Sequence, residues 1–127
     1  MEAQVKASRT FEDLKVWQKA HTFVLSVYAV TKMFPSNEAF GITSQIRRSA
    51  VSVPANIAEG YKRLTKPDKL RFFNIAQASL EETRYYVILC RDLKYIDETI
   101  FTDWQNAIID ISQLLGRYCS AINKSKN

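Results

Sequence analysis

Residues 45–60 of the chain read QIRRSAVSVPANIAEG, and this segment has the pattern of one long amphipathic helix. Apolar side chains recur here, and just beyond, at spacings of three and four residues, which is the period of one helix face. This apolar face consists of Ile46, Ala50, Val53, Ile57, Tyr61 and Leu64. We therefore predict a helix from Phe40 to Leu64 that buries one face in a core.

A second stripe along the same helix is polar. It consists of Arg48, Ser52, Asn56, Glu59 and Arg63. Pro54 interrupts the pattern, and a proline inside a helix removes a backbone hydrogen bond and crowds the preceding turn, so we expect a kink near it. Gly60 has no side chain and would allow a neighbouring backbone to approach closely.

The first helix is predicted from Phe11 to about Phe34, with Thr10 as its N-cap. Two apolar lines run side by side along it, and together they make a surface wider than one seam of a bundle requires. One line consists of Leu14, Trp17, His21, Val24, Tyr28 and Thr31, and the other of Val16, Ala20, Phe23, Val27 and Val30.

Two more helices follow. Thr65 and Asp97 are residue types that cap helix N-termini, and Pro67 suits the first turn of the third helix. Four helices joined by short turns predict an all-α fold, an antiparallel up-down four-helix bundle whose second helix is kinked near Pro54. We assign residues 11–123 to the bundle, residues 1–10 to a flexible N-terminal tail and residues 124–127 to a basic C-terminal tail.

The segment 45–60 closely resembles the signature of the 23S ribosomal RNA intervening-sequence protein family, also called the four-helix-bundle protein family. The resemblance extends from about Phe11 to Ile122. It is carried also by Phe11, Leu14 and Trp17, by Phe34, Pro35, Glu38 and Gly41, and by residues 78–82, which read ASLEE. The resemblance implies a four-helix bundle that assembles into a ring, usually a pentamer. It also implies kinship with accessory proteins of diversity-generating retroelements, which bind a reverse transcriptase and nucleic acid.

The chain lacks the residue patterns of common enzyme sites. It has one histidine, His21, whose helical spacing predicts a packed or partly buried imidazole instead of a catalytic base. There is no glycine-rich phosphate loop and no Glu-x-x-His pair of the kind that binds two irons in a bundle. Cys90 and Cys119 are too few and too separated for a disulfide framework or a zinc site, so we expect free buried thiols. We predict a non-enzymatic protein without cofactor or metal.

The cellular location is predicted from what the sequence does not contain. No apolar run approaches the roughly 20 residues that span a bilayer. Residues 1–10 lack the apolar segment of a secretory signal. We expect a cytoplasmic protein with no membrane partner.

The net charge is +5, from 18 basic and 13 acidic residues, and the basic excess is concentrated between Lys62 and Arg71 and at the C-terminal tail. Such a patch attracts polyanions, although a similar run on many proteins is only a solvated corner. Arginine suits phosphate because its planar fork binds at two points. The candidates for nucleic-acid binding are Arg47, Lys62, Arg63, Lys66, Lys69 and Arg71.

The polar stripe predicts a network between the second and third helices. Its expected members are Arg48, Asn56, Glu59, Ser79 and Glu82, with Arg48 pairing with Glu59. Buried charges persist only when they are paired, so the network is expected to fix helix register. In the alternative interpretation, Asn56, Glu59 and Glu82 line a site for a small ligand or a substrate.

Three aromatic residues lie off the core stripe of the third helix: Phe72, Tyr85 and Tyr86. Aromatic residues are enriched at protein interfaces, so we expect these three in an oligomer interface. The alternative is that they stack on nucleic-acid bases.

The function predicted from these patterns is a non-enzymatic homo-oligomer that binds structured RNA through basic surface repeated around a ring. Repetition strengthens weak contacts through effective concentration. The alternative is a protein–protein adaptor that recruits a partner such as a reverse transcriptase and has little RNA affinity of its own.

Overall fold

The computed structural model describes residues 9–125, and every residue in a regular element within this range is helical. Most of the predicted N-terminal tail (residues 1–8) and the last two residues lie outside the described residues. Residues 9–125 form four α-helices: α1 (Lys15–Thr31), α2 (Ile42–Lys62), α3 (Lys66–Asp92) and α4 (Glu98–Lys124). Two short 3₁₀ turns, Phe11–Asp13 and Ser36–Glu38, precede α1 and α2.

The predicted caps of the last two long helices are confirmed. The Thr65 hydroxyl accepts a hydrogen bond from the Asp68 backbone N–H, and Pro67 lies in the first turn of α3. The Asp97 carboxylate accepts from the Ile100 backbone N–H at 2.9 Å. Each side chain satisfies a backbone donor that has no partner inside its helix.

The predicted start of the first helix is wrong. Thr10 caps a 3₁₀ turn, not α1, and it forms a capping box with Asp13. Leu14 is extended, with φ −77° and ψ 125°, so α1 begins only at Lys15. The side-chain amide of Gln18 donates to the Glu12 carbonyl at 2.8 Å and holds the turn against α1. The turn Phe11–Asp13 is therefore a separate element, and it packs against both α1 and α2.

One of the two apolar lines of α1 supplies most of the side chains that this helix contributes to the core. Its buried members are Val16, Ala20, Phe23 and Val27. The other line contributes Val24 and Thr31 to the interior, whereas Trp17 is half-buried and His21 and Tyr28 are exposed. Contacts with α4 orient the helix in this way: the Trp104 indole N–H donates to Ser26 at 2.9 Å, and the rings of Trp104 and Phe23 lie 6.0 Å apart.

The apolar face of α2 is buried as predicted from Ile46 to Ile57. Leu64 differs, because α2 ends at Lys62 and leaves this side chain 96% exposed in the connection to α3. The helix is continuous through Pro54, which is buried.

The four helices pack around one hydrophobic core. Each helix contacts its neighbours in the chain, α1 also contacts α4, and α2 and α3 share more contacts than any other pair. The largest fully buried side chains include Ile46, Ile57, Phe73, Leu80, Ile111 and Leu115. These contacts make a helical bundle. Within residues 9–125, none of the helices combines the length and the hydrophobicity that crossing a bilayer requires.

Candidate nucleic-acid interface

Hydroxyl groups join α2 to α3 at two depths. In the interior, the Thr83 hydroxyl donates to the Ser49 hydroxyl at 2.8 Å, and both residues are fully buried. Nearer the surface, the hydroxyls of Ser52 and Ser79 share a hydrogen bond of 2.8 Å. The Asn56 amide donates to the carbonyl and the hydroxyl of Ser52 at 2.8 and 3.0 Å. The two hydroxyl–hydroxyl bonds cross between the helices and form only when the facing positions align, so they fix the register of α2 against α3.

An ion pair adjoins this seam on the surface. Arg48 donates to the Glu82 carboxylate, and the Tyr86 hydroxyl donates to the same carboxylate at 2.7 Å. The hydrogen bond from Tyr86, together with the Arg48 guanidinium, lowers the pKa of the Glu82 carboxyl. The same hydrogen bond raises the pKa of the Tyr86 hydroxyl, because the proton is held between the two groups. Arg48 and Glu82 are both well exposed, so the pair is worth at most about 1 kcal/mol.

The predicted polar network is therefore divided into separate groups. Arg48 forms an ion pair with Glu82. Ser79 and Asn56 are each hydrogen-bonded to Ser52 and so belong to a second group. The Glu59 carboxylate accepts from Arg63 at 2.8 Å, within the same helix. The expected pairing of Arg48 with Glu59 is wrong. These residues are eleven positions apart, about 16 Å along the helix axis, which is beyond the reach of the two side chains.

Cationic side chains gather at the end of the bundle where α2 and α4 end and α3 begins, which we call the basic end. The Lys66 ammonium donates to the carbonyls of Asn123 and Ser125 there, so the C-terminus of α4 lies beside the start of α3. The basic end carries Arg9, Lys15, Lys62, Arg63, Lys66, Lys69, Arg71 and Lys124, against Glu12, Asp13, Glu59 and Asp68. The opposite end carries Lys32, Arg91 and Lys94, against Glu38, Asp92, Asp97, Glu98 and Asp103. The basic excess of the described residues is thus concentrated at one end.

Two arginines of the basic end lie over one aromatic ring. The guanidinium carbons of Arg63 and Arg71 lie 4.4 and 4.5 Å from the centre of the Phe72 ring. Arg71 also forms an ion pair of 3.4 Å with Asp68. The ring and the acidic partners hold both guanidinium groups near the surface, where they remain well exposed.

The lysines of the basic end divide between two roles. The Lys69 ammonium donates to the carbonyls of Tyr61 and Gly60 at 2.7 and 3.4 Å, and so binds carbonyls at the C-terminus of α2. Lys66 does the same for the C-terminus of α4. A cation at a helix C-terminus satisfies free carbonyls and complements the helix dipole. Lys62 is exposed and forms no ion pair within residues 9–125.

Arg47 does not join the other predicted nucleic-acid ligands. Its Nε donates to the Thr31 hydroxyl at 2.8 Å, and its guanidinium lies 4.5 Å from the centre of the Tyr28 ring. These contacts tie α2 to α1. Arg47 is also fifteen positions from Lys62, about 22 Å along the axis of α2.

The three aromatic residues proposed for an interface lie along one side of α3. Phe72 is half-buried under the two arginines, and Tyr86 is half-buried against Glu82. Tyr85 is 58% exposed, and its ring centre is 5.9 Å from that of Tyr86.

The groups considered for catalysis are dispersed. The His21 ring packs on a neighbour, as expected: it stacks on the Trp17 ring with ring centres 4.9 Å apart. The His21 residue as a whole is nevertheless exposed to solvent. Both cysteines are free; Cys90 is buried and Cys119 is half-buried. Burial raises the pKa of the Cys90 thiol to about 12. Within the described part of the chain, no three His, Cys, Asp or Glu residues are grouped so that they could hold a metal ion.

Residues 12–117 match the family described as 23S rRNA-intervening sequence protein. The chain belongs to this family. It is similar to the crystal structure of a protein of unknown function from the S23 ribosomal protein family of Bacteroides thetaiotaomicron. The two chains are 26% identical, the match covers 83% of this chain and 95% of that chain, and the TM-score is 0.77. No curated protein matches the chain.

The part that matches the 23S rRNA-intervening sequence family also contains the two residues that sequence reasoning missed. Ser49 lies three positions after Ile46 and four before Val53, so it occupies the apolar face of α2. Thr83 lies three positions after Leu80 and has the same kind of place on α3. A hydroxyl at a core spacing on each of two neighbouring helices is the signal that could have identified the buried pair.

Proposed function

We propose that this member of the 23S rRNA-intervening sequence family is a non-enzymatic homo-oligomer that binds structured RNA through its basic end. The observation that carries the proposal is the concentration of cationic side chains around Phe72. A polyanion bound there releases counterions for each phosphate that a lysine or arginine neutralises. The location we propose is the cytoplasm, where free thiols such as Cys90 and Cys119 persist.

The contacts of Arg63 and Arg71 suit a phosphate ligand. The ion pair of Arg71 with Asp68 is exposed, and exposed ion pairs contribute about 0–1 kcal/mol, so a phosphate can replace the Asp68 carboxylate at little cost. The Phe72 ring restricts both guanidinium groups before a ligand arrives, which lowers the entropy lost on binding. Lys62 adds a cation with no ion-pair partner among the described residues.

The proposal includes an antiparallel up-down arrangement of the helices. Side-chain pairings between neighbouring helices run in opposite directions: Arg48 and Ser52 of α2 meet Glu82 and Ser79 of α3. Between α1 and α4, Lys19 meets Asp110 and Ser26 meets Trp104. The proposed kink at Pro54 follows from the hydrogen bond that proline cannot donate.

Self-association is proposed through the outer face of the α2–α3 pair. On α2, Val51 and Ala55 lie on the same helix face as Arg48, because successive members are three or four positions apart. On α3, the face that carries Glu82 also carries Ile75, Ala78 and Tyr85, at the same spacing. Because Arg48 binds Glu82, the two stripes border one surface. Phe72 and Tyr86 flank this surface. Burying it between copies would assemble the ring, a pentamer in our proposal, and would repeat the basic end around it.

The test is binding of the purified protein to a structured RNA hairpin and to an unrelated duplex of equal length, over a series of salt concentrations. We expect preferential binding of the hairpin, with affinity falling steeply as salt rises. The variant Lys62→Glu with Arg71→Glu should bind the hairpin about tenfold more weakly or worse. The matched control, Lys32→Glu with Lys94→Glu, makes the same charge change at the opposite end and should bind like the wild type. Equal losses in both variants would refute the assignment to the basic end.

A protein–protein adaptor is the second candidate, and one observation favours it. Phe40 is 98% exposed and Met33 85% exposed at the end opposite the basic end, and exposed apolar side chains of this size are typical of protein contacts. The hairpin assay separates the two functions. Absence of hairpin binding at low salt would refute the RNA proposal and favour the adaptor.

A further inference from the structure

A groove at the basic end has the chemistry of a nucleotide site. It lies between the 3₁₀ turn Phe11–Asp13 and the end of α2, and its volume is about 480 Å³. Arg9 and Phe11 line one wall, and Glu59, Tyr61, Lys62 and Arg63 line the other. Aromatic, cationic and anionic groups therefore face one space that is large enough for a single nucleotide.

The wall that carries Arg9 and Phe11 is fixed by local hydrogen bonds. The backbone N–H of Arg9 donates to Asp13 at 2.8 Å, and Thr10 and Asp13 complete the capping box. The Phe11 ring packs edge-on against Trp17, with ring centres 5.1 Å apart. This wall exists because the chain is extended at Leu14; a continuous helix from Phe11 would direct these side chains elsewhere.

The opposite wall supplies a hydrogen-bond acceptor beside a cation. Arg63 lies over Phe72 and donates to one oxygen of Glu59 at 2.8 Å, so the carboxylate is held among the residues that line the groove. Lys62 is the next residue along the chain and is exposed. A carboxylate accepts hydrogen bonds from the amino groups of cytosine, adenine and guanine. Uracil has no amino group.

We infer that this groove holds one unpaired nucleotide of an RNA loop. The base stacks on Phe11 and donates its amino group to Glu59, and the adjoining phosphates bind Arg9 and Lys62. Unpaired bases are recognised in this way, by stacking on aromatic rings and by hydrogen bonds to their edges. The inference rests on the proposed function, because it assigns a base-specific subsite within the RNA-binding end.

The experiment compares two RNA hairpins that have the same stem, one with a cytidine loop and one with a uridine loop. The wild type should bind the cytidine hairpin about three- to tenfold more tightly, which is the contribution of roughly one hydrogen bond. Glu59→Gln should reduce this preference, whereas Glu81→Gln, which makes the same charge change at another Arg–Glu pair, should retain it. Phe11→Leu should weaken binding of both hairpins, whereas Phe40→Leu should not. Lys62→Ala should also weaken binding, and because this side chain is exposed its loss leaves the fold intact.

Each outcome has one meaning. Loss of the cytidine preference in Glu59→Gln, with weaker binding by Phe11→Leu and Lys62→Ala, supports the inference. Equal affinity for both hairpins, with binding still reduced by Arg71→Glu, overturns the inference and leaves the RNA proposal standing. Failure to bind either hairpin overturns both. If cytidine 5′-monophosphate alone binds as tightly as the hairpin, the site takes free nucleotides and the assignment to an RNA loop is overturned.

Discussion

The ring of Phe73 occupies the space where a side chain of residue 60 would lie. A Cβ atom added to Gly60 would be 2.7 Å from Cε1 of Phe73, closer than real Cβ contacts come. Both residues are buried, and Phe73 also packs on Tyr118 of α4 with ring centres 5.1 Å apart. Gly60 therefore allows α2 and α3 to pack closely beside the basic end, although its neighbour is an aromatic ring and not the backbone that the sequence suggested.

We predict that Gly60→Ala lowers the free energy of unfolding by about 1–3 kcal/mol, because the new methyl group must displace Phe73 in a packed core. Chemical denaturation measures the effect. The matched control is Gly116→Ala on α4, where an added Cβ has no atom within 4 Å and the better helix propensity of alanine should stabilise by about 0.5–1 kcal/mol. A Gly60→Ala protein as stable as the wild type would contradict the close packing of Phe73.

A double-mutant cycle on Arg48→Ala and Glu82→Gln should reveal coupling of about 0.5–1 kcal/mol, since the two side chains form an exposed ion pair that Tyr86 supports. The comparison cycle pairs Arg48→Ala with Glu59→Gln, and its effects should add, because Glu59 binds Arg63 instead. Coupling in the second cycle and additivity in the first would refute the pairing of Arg48 with Glu82.

Lys94→Gly should raise the free energy of unfolding by about 1 kcal/mol. Lys94 has φ 64°, a left-handed conformation that costs residues with a Cβ about 1–2 kcal/mol. Lys94 follows the C-terminus of α3, and the next residue, Tyr95, donates its backbone N–H to the Cys90 carbonyl at 2.9 Å. Helices that end in this way usually have glycine as the left-handed residue. The test is to compare the thermal unfolding of Lys94→Gly with that of Lys94→Ala, and we expect the glycine variant to be the more stable. Equal stability of the two variants would argue against the left-handed conformation.

Stability should fall as the pH rises above 9. Burial raises the pKa of the Cys90 thiol from 9.0 to about 12 in the folded protein. A group whose pKa is raised by folding contributes stability that is complete below its unfolded pKa and is lost as the pH rises through its folded pKa. The relevant window is therefore from pH 9 to about 12. The raised pKa of Tyr86 acts in the same direction.

The variant Cys90→Ala isolates the contribution of the thiol. Its free energy of unfolding should decline less steeply with pH across this window than that of the wild type. Slopes are compared because the substitution also removes core volume and lowers stability at every pH. Identical slopes would mean that the Cys90 thiol has the same pKa in the folded and unfolded chains.

Features determined by neighbouring residues could be predicted from the sequence. Thr65 and Asp97 cap their helices through backbone groups three residues away, so the local sequence contains all the information required. The burial of Ile46, Ala50, Val53 and Ile57 likewise follows from their period. The break at Leu14 could not be predicted in this way, because a helix and a 3₁₀ turn share the same capping residues.

Features that depend on how the helices pack against one another could not be predicted from the sequence. The polar stripe of α2 identified Arg48 and Glu59 but not their partners, since the register between α2 and α3 determines that Arg48 meets Glu82. Arg47 and Lys69 both appeared as candidates for phosphate, yet one binds Thr31 and the other binds the carbonyls of Gly60 and Tyr61. A cation's charge is visible in the sequence, whereas its partner depends on tertiary packing.

The most direct test of RNA binding by the basic end is ultraviolet crosslinking of the protein to a hairpin RNA, with the crosslinked residues identified by mass spectrometry. We predict crosslinks at the basic end, chiefly at Phe11. Crosslinks concentrated at the opposite end, at Phe40 or Tyr95, would contradict it.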